Sequence, residues 1–378
     1  MLLLAGAAAP VAVFVVGGDG SRAAGTMQGP GTVAVQGNGA QGGGSQAMPA
    51  KPRPWPRPRT LPAEIRGVHV TMSLASLPGR IEQYLGLREY GLNTIELDVK
   101  DESGVVGFVS PYAPDAQETG AARTYYNPKA VATMAHALGV YLIGRVVVFE
   151  DPVLARARPQ HSLRRPDGQP WLNKVGLGWV SQYDRGVWKY VVDVAESAAR
   201  AGFDEIQFDY VRFPSDGDVQ SIVYPGKRVE PKSATIKSFL RYATARLRPL
   251  GVRVSADIFG LAATHDLQIG QAPAAIGRTV DAIYPMVYPS HYSAGEFNLS
   301  DPEASPGETV GLSIADFKRV TKGGRARIVP WIQDFSMRRT YTLFEVRQQI
   351  AAARAAGAAG FLLWNPRGVY TTEALRPR

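Results

Sequence analysis

The sequence predicts an α/β protein, a single (β/α)8 TIM barrel over residues 63–372, preceded by an apolar segment and a Gly/Pro-rich stalk. Three observations carry that expectation. Short β-rich runs alternate with Ala/Leu/Arg-rich helical runs, the strand candidates number eight, and in several strands apolar and polar residues fall on opposite parities. Strict alternation of strand and helix calls for a parallel sheet, and a count of eight points to a closed barrel over an open sheet. No dinucleotide-binding glycine fingerprint follows the first strand, which weakens the Rossmann alternative.

In chain order, residues 1–16 are expected to be a signal peptide or membrane anchor. The run LLLAGAAAPVAVFVV carries no charge and is shorter than the ~20 residues of a spanning helix. It suits a signal-peptide hydrophobic region, although no Lys or Arg precedes it. Either reading implies an extracytoplasmic protein, secreted or anchored. Residues 17–62 form the expected stalk. Its first part, rich in Gly, Ala, Ser and Gln, buries too little apolar surface to fold. PAKPRPWPRPRTLP then alternates proline with other residues and favours an extended polyproline spacer. Its cations can meet anionic lipid or wall polymer, or can simply be solvated.

The strand candidates are 67–71, 93–99, 140–148, 204–211, 252–258, 281–288, 326–333 and 359–364. Helical runs at 80–90, 128–138, 185–201, 233–248 and 342–356 lie between them. Gly91, Gly139, Gly202, Gly251 and Gly357 stand where helices stop before the next strand. Ile95, Leu97 and Val99 oppose Glu96, Asp98 and Lys100; Ile206 and Phe208 oppose Gln207 and Asp209; Val254 opposes Arg253, Ser255 and Asp257. The apolar sets suit contact with helices, so the polar sets should face into the barrel. That arrangement suggests a site, or alternatively a buried structural ion-pair network.

Composition narrows the chemistry. The net charge is +9, of which residues 1–59 carry +4, leaving a mildly basic globule in which no Lys/Arg stripe stands out, so no nucleic-acid partner is expected. With no cysteine, disulfides and thiolate metal sites are excluded. The five histidines form no tight metal-binding pair, and no Gly-x-Ser-x-Gly elbow is present. No cofactor or metal is expected; Asp98, Lys100, Asp101 and Glu102 read as a charged loop before they read as a hard-cation site.

Barrel sites lie at the C-terminal strand ends. Those ends offer Asp98, Lys100, Arg145, Asp209, Arg212, Asp257, Tyr288, His291, Gln333, Asp334, Trp364 and Asn365. Glycoside hydrolysis needs two carboxyl groups, one protonated and one acting as nucleophile or base. Asp209 and Asp257, at equivalent depth on neighbouring strands, are the expected catalytic pair, and the other residues are expected to bind substrate. The loop 150–184 adds Trp171, Trp179 and Tyr183, whose faces suit sugar rings or else pin the loop to the barrel. The expected partner is therefore a polysaccharide. A non-catalytic carbohydrate-binding barrel, a transglycosylase and a metal-assisted hydrolase are the alternatives.

The segment WVSQYDRGVWKYVVDVAESAARAGFDEIQFDYVRFPSDG resembles the central motif of the bacterial "putative glycosyl hydrolase domain" family. RGVHVT, GLNTIELDVKDESG, VSADIFGLAATHDLQIGQ, YPMVYPSHY, PWIQDF and GFLLWN resemble its other strand motifs, in order, over roughly residues 65–370. Ser181-Gln182 departs from the family's Asp-Pro. The resemblance implies a barrel related to glycoside hydrolases of the α-amylase-like type. In that type the nucleophile ends the fourth strand, matched by Asp209, and an acid ends the fifth, matched by Asp257.

Overall fold

The computed structural model describes residues 58–226 and 230–377. The expectations for residues 1–16 and for the stalk up to residue 57 lie outside the described residues. Among the described residues no helix is long and apolar enough to cross a membrane.

Nine strand segments build the barrel: β1 (Ile65–Val70), β2 (Thr94–Lys100), β3 (Tyr141–Val147), β4 (Glu205–Asp209), β5 (Arg253–Phe259), β6 (Ala282–Met286), β7 (Arg327–Ile328), β8 (Trp331–Gln333) and β9 (Gly360–Trp364). Every pairing is parallel, β6 pairs with both β7 and β8, and β9 returns to β1, so the sheet closes. β7 and β8 are two halves of one stave. The sequence suggested an unbroken strand there, but Pro330 lacks an N–H for the ladder and interrupts it. Its carbonyl still accepts from Leu362 N at 3.0 Å. β9 meets β1 at Gly360, whose φ of 136° and near-contact with the Ile65 backbone leave no room for a Cβ.

Parity sorts the side chains as expected. Ile95, Leu97, Val99, Ile206, Phe208, Val254, Ala256 and Ile258 join the outer core, against helix residues such as Val187, Val191, Phe239 and Leu240. Each buried Val, Leu, Ile or Phe among them stabilises by about 1.5–3 kcal/mol. A smaller cluster, including Ile65, Tyr141, Ile143, Tyr284, Val329 and Leu362, fills the lower bore. The helix Arg185–Ala201 has its N-terminus capped by the Asp184 side chain and ends at Gly202 in the left-handed conformation. Helix Leu343–Ala355 carries a full capping box between Thr342 and Glu345. The elements thus start and stop where local chemistry dictates, and the loops at the C-terminal strand ends are left to build a site.

Candidate active site

The upper bore holds a charged cluster that grows from four adjacent strands. β1 contributes His69, β2 Glu96 and Asp98, β3 Arg145, and β4 Asp209. Arg145 is the hub: Nη1 donates to Asp98 Oδ1 at 2.7 Å, while Nε and Nη2 donate to Asp209 Oδ2 at 3.0 and 2.8 Å. Glu102, more exposed, lies 3.4 Å from the same guanidinium. A buried arginine needs such partners, because an unpaired charge there costs several kcal/mol. Arg145 is thus the cation facing Asp209, and Arg212, which follows β4 and was expected to bind substrate, is not. Arg212 instead stands 4.7–5.0 Å from the ring centres of Trp179, Tyr210 and Phe259.

Asp209 ends β4 at a strained turn. Tyr210 has φ 48°, unusual for a side chain of its size, and its N–H donates to Asp209 Oδ1 at 2.6 Å. β4 stops here, two residues earlier than the sequence suggested, because the left-handed turn breaks the ladder. One carboxylate oxygen is thus held by the backbone and the other by Arg145.

Asp257, on neighbouring β5, has different surroundings. Its Oδ1 accepts from Gln207 Nε2 at 2.5 Å and from Trp331 Nε1 at 2.7 Å. Oδ2 is buried and has no hydrogen-bond partner among the described residues. Burial, then the charges of Asp209 and Glu96, push its carboxyl well above the usual carboxylate range. His69 Nδ1 contacts Glu96 Oε2, and its Nε2 lies 3.7 Å from Asp98 Oδ2. Burial opposes charge on this ring, but Glu96 and Asp98 outweigh it and raise the His69 pKa. Trp364, half-buried, packs 4.7 Å from the His69 ring.

The remaining expected residues divide into two groups. At the rim, Tyr288 and His291 pack edge-on at 5.4 Å, and both meet Phe335. Asp334 binds the Thr371 hydroxyl and N–H, and burial raises its pKa to about 6. Asn365 donates to the Asp334 carbonyl. Three others sit within the wall. Lys100 is fully buried, 3.1 Å from Asp151 and bonded to the Val147 carbonyl. A register irregularity in β2 between Asp98 and Lys100 takes it off the bore face. Gln333 spends its side chain on Ser290 N and the Phe335 carbonyl. Trp179 and Trp171 are each 1% exposed. The loop tryptophans therefore pin the loop and offer no open face for a sugar ring.

Glu150 escaped the sequence reading. It follows β3 by three residues in the run VVVFED, receives a hydrogen bond from Asn173 Nδ2 at 3.0 Å, and is buried beneath the loop. Burial outweighs the attraction of Arg212 and raises its pKa to about 7. A carboxyl directly after an apolar strand was the available signal. Glu96 was visible on the inward parity, but His69, counted only among the histidines, and the pairing of the two were not. The departure at Ser181-Gln182 has a packing role: Ser181 donates to the Pro225 carbonyl and Gln182 to the Arg212 carbonyl, tying the two long loops together. No group of three or more His, Asp or Glu residues suited to a metal occurs among the described residues.

A closed parallel barrel with acids and an arginine gathered at the C-terminal ends of its strands defines a glycoside-hydrolase-like TIM barrel. The model of the family described as "putative glycosyl hydrolase domain" matches residues 67–370, and the chain belongs to that family. Among solved structures, the glycoside hydrolase domain of PgaB (BpsB) from Bordetella bronchiseptica is similar at TM-score 0.54 and 14% identity, over 80% of this chain and 94% of that one. The catalytic domain of β-amylase from Paenibacillus polymyxa is similar at TM-score 0.52 and 13% identity, over 84% and 96%. A hypothetical protein from Ruminiclostridium thermocellum is 34% identical over 50% of this chain and 96% of its own, with TM-score 0.46. No curated protein matches the chain.

Proposed function

We propose that the protein is a glycosidase that cleaves a polysaccharide, with Asp209 as nucleophile and Asp257 as general acid. The observation that carries this reading is the contrast between two carboxyls on neighbouring strands. Asp209 faces the Arg145 guanidinium at 2.8 Å, whereas Asp257 is pushed by burial toward its protonated form. Glycoside hydrolysis uses that division: one group donates a proton to the departing oxygen while the other attacks the anomeric carbon. Arg145, itself anchored by Asp98, holds Asp209 in place. Trp364, Tyr288, His291 and Asp334 line the rim where a sugar would enter.

A non-catalytic barrel is the competing reading. It is favoured by the occupied oxygens of Asp209, which would make that residue a counter-ion. Digestion of a glycan panel, with products identified by mass spectrometry, separates the two. Cleavage by the wild type and its loss in Asp209→Asn support the glycosidase. Glycan binding without cleavage by the wild type refutes it. We also propose export directed by residues 1–16. A reporter fused after residue 62 should be translocated, and should stay inside the cell when residues 1–16 are deleted.

A further inference from the structure

Opposite the candidate site, a groove of about 510 Å³ opens where the helix Lys232–Leu247 meets the segments leading into β6 and β7. Its walls carry Lys237, Arg241 and Arg248 from the helix and the short turn after it, Arg278 before β6, and Arg325 before β7. One carboxylate, Asp281, answers them, pairing with Arg325 at 2.9 Å and with Arg248 at 3.6 Å. Lys237, Arg241 and Arg278 are exposed and have no ion-pair partner among the described residues. Thr244, also lining the groove, is 5% exposed, and its hydroxyl has no hydrogen-bond partner among the described residues. The buried Arg248 Nη2 likewise makes no hydrogen bond there.

Five cations against one acid in a concave site make a strong local positive potential. Leaving a buried hydroxyl unpaired costs about 1–3 kcal/mol, which an incoming acceptor would relieve. Residues 1–57 contain Asp19 as their single acid, so that segment does not supply the missing negative charge. Among the described residues no aromatic lines the groove, so they offer no platform for stacking nucleobases. Guanidinium groups match carboxylates in two-pronged geometry.

We infer that this groove is a second carbohydrate site, one that holds the carboxylate groups of an acidic polysaccharide and leaves the barrel mouth free. A sequence scan does not find it, because its cations come from three separated segments and converge only in the fold. Polygalacturonate is the probe, measured by calorimetry or fluorescence titration on the full-length protein against its methyl-esterified, neutral form. Polygalacturonate should bind and the ester should not. The triple substitution Lys237→Gln, Arg241→Gln, Arg278→Gln should weaken binding at least ~10-fold and flatten the dependence of log Kd on log salt by about 2, at about 0.7 per contact. These side chains are exposed and unpaired, so the melting temperature should not change. Thr244→Val should weaken binding less, without loss of fold. The inference is overturned if polygalacturonate does not bind, if the ester binds equally, or if the triple variant binds like wild type. Duplex DNA or anionic vesicles binding the groove more tightly than polygalacturonate, with the same loss in the triple variant, would overturn it in favour of those partners. None of these readouts depends on glycan cleavage, so the outcome stands apart from the glycosidase reading.

Discussion

Glu205 and Asp209 lie on the same strand, point to the same face of β4 and are both buried, yet they have opposite environments. Glu205, in the lower bore, accepts the Tyr284 hydroxyl at 2.9 Å and the Tyr141 hydroxyl at 3.0 Å. With phenols and no cation against its oxygens, burial raises its pKa. Asp209, two inward positions further along with Gln207 between, takes two guanidinium bonds from Arg145 and a backbone bond from the strained Tyr210. The lower acid belongs to a buried network of tyrosine hydroxyls. The upper one belongs to an ionic network at the mouth, beside the carboxyl of Asp257. Position on an inward face therefore does not define a reactive acid; the partners do.

The largest expected effect falls on the upper acid. Asp209→Asn should lower turnover of a cleaved glycan by at least ~10³-fold, in line with losses from removing a nucleophile. Folding should persist, because Arg145 keeps Asp98 at 2.7 Å and Glu102 at 3.4 Å. Circular dichroism and a melting curve check the fold. A variant that unfolds while a more conservative replacement stays active would reduce Asp209 to the structural rank of Glu205. Asp257→Asn comes next. Loss of a positioned acid should cost about 10²–10⁴-fold on glycans with poor leaving groups. Activated aryl glycosides, which need no protonation, should suffer much less, and equal losses on both substrates would remove Asp257 from the role.

A third carboxyl sharpens the comparison through pH. Folding raises Glu150 from an ordinary 4.5 to about 7, so the native state binds its proton more tightly than the unfolded chain. Through this group alone the wild type should lose about 3 kcal/mol as pH climbs from about 4.5 to about 7, at 1.36 kcal/mol per unit, in addition to the losses from the other raised carboxyls. Glu150→Gln should make the pH dependence shallower by that amount and melt higher than wild type at pH 8. Denaturant titrations at several pH values check it, and parallel slopes in the two proteins would contradict it. The smallest effect belongs to the lower acid. Glu205→Gln should shift stability by about 1 kcal/mol, seen in a denaturant midpoint, and leave turnover close to wild type.

The sequence made the barrel legible because period-two parity and glycine stops are local signals. The same parity identified the inward residues Glu96, Asp98, Gln207, Asp209 and Asp257, and Arg145 was expected beside them. Parity does not report depth, so Glu205 and Asp209 look alike in one dimension. Nor does it report how a long loop docks. Trp171 and Trp179 read equally well as sugar platforms or as pins until their burial is known. Glu150 was hidden for the same reason, since its pKa comes from the loop that covers it. Lys100 and Gln333 read as site residues by position. Each is instead absorbed by contacts distant in sequence, with Asp151 and Val147 in one case and Ser290 and Phe335 in the other.

The division of roles requires a proton on Asp257 beside the arginine-paired Asp209, and infrared difference spectroscopy reads that proton without any substrate. At neutral pH the wild type should show the C=O stretch of a protonated, buried carboxyl that disappears in Asp257→Asn and remains in Asp209→Asn. A wild-type spectrum that matches Asp257→Asn in this band, with Asp257 titrating as an ordinary carboxylate, would contradict the division of roles between the two acids.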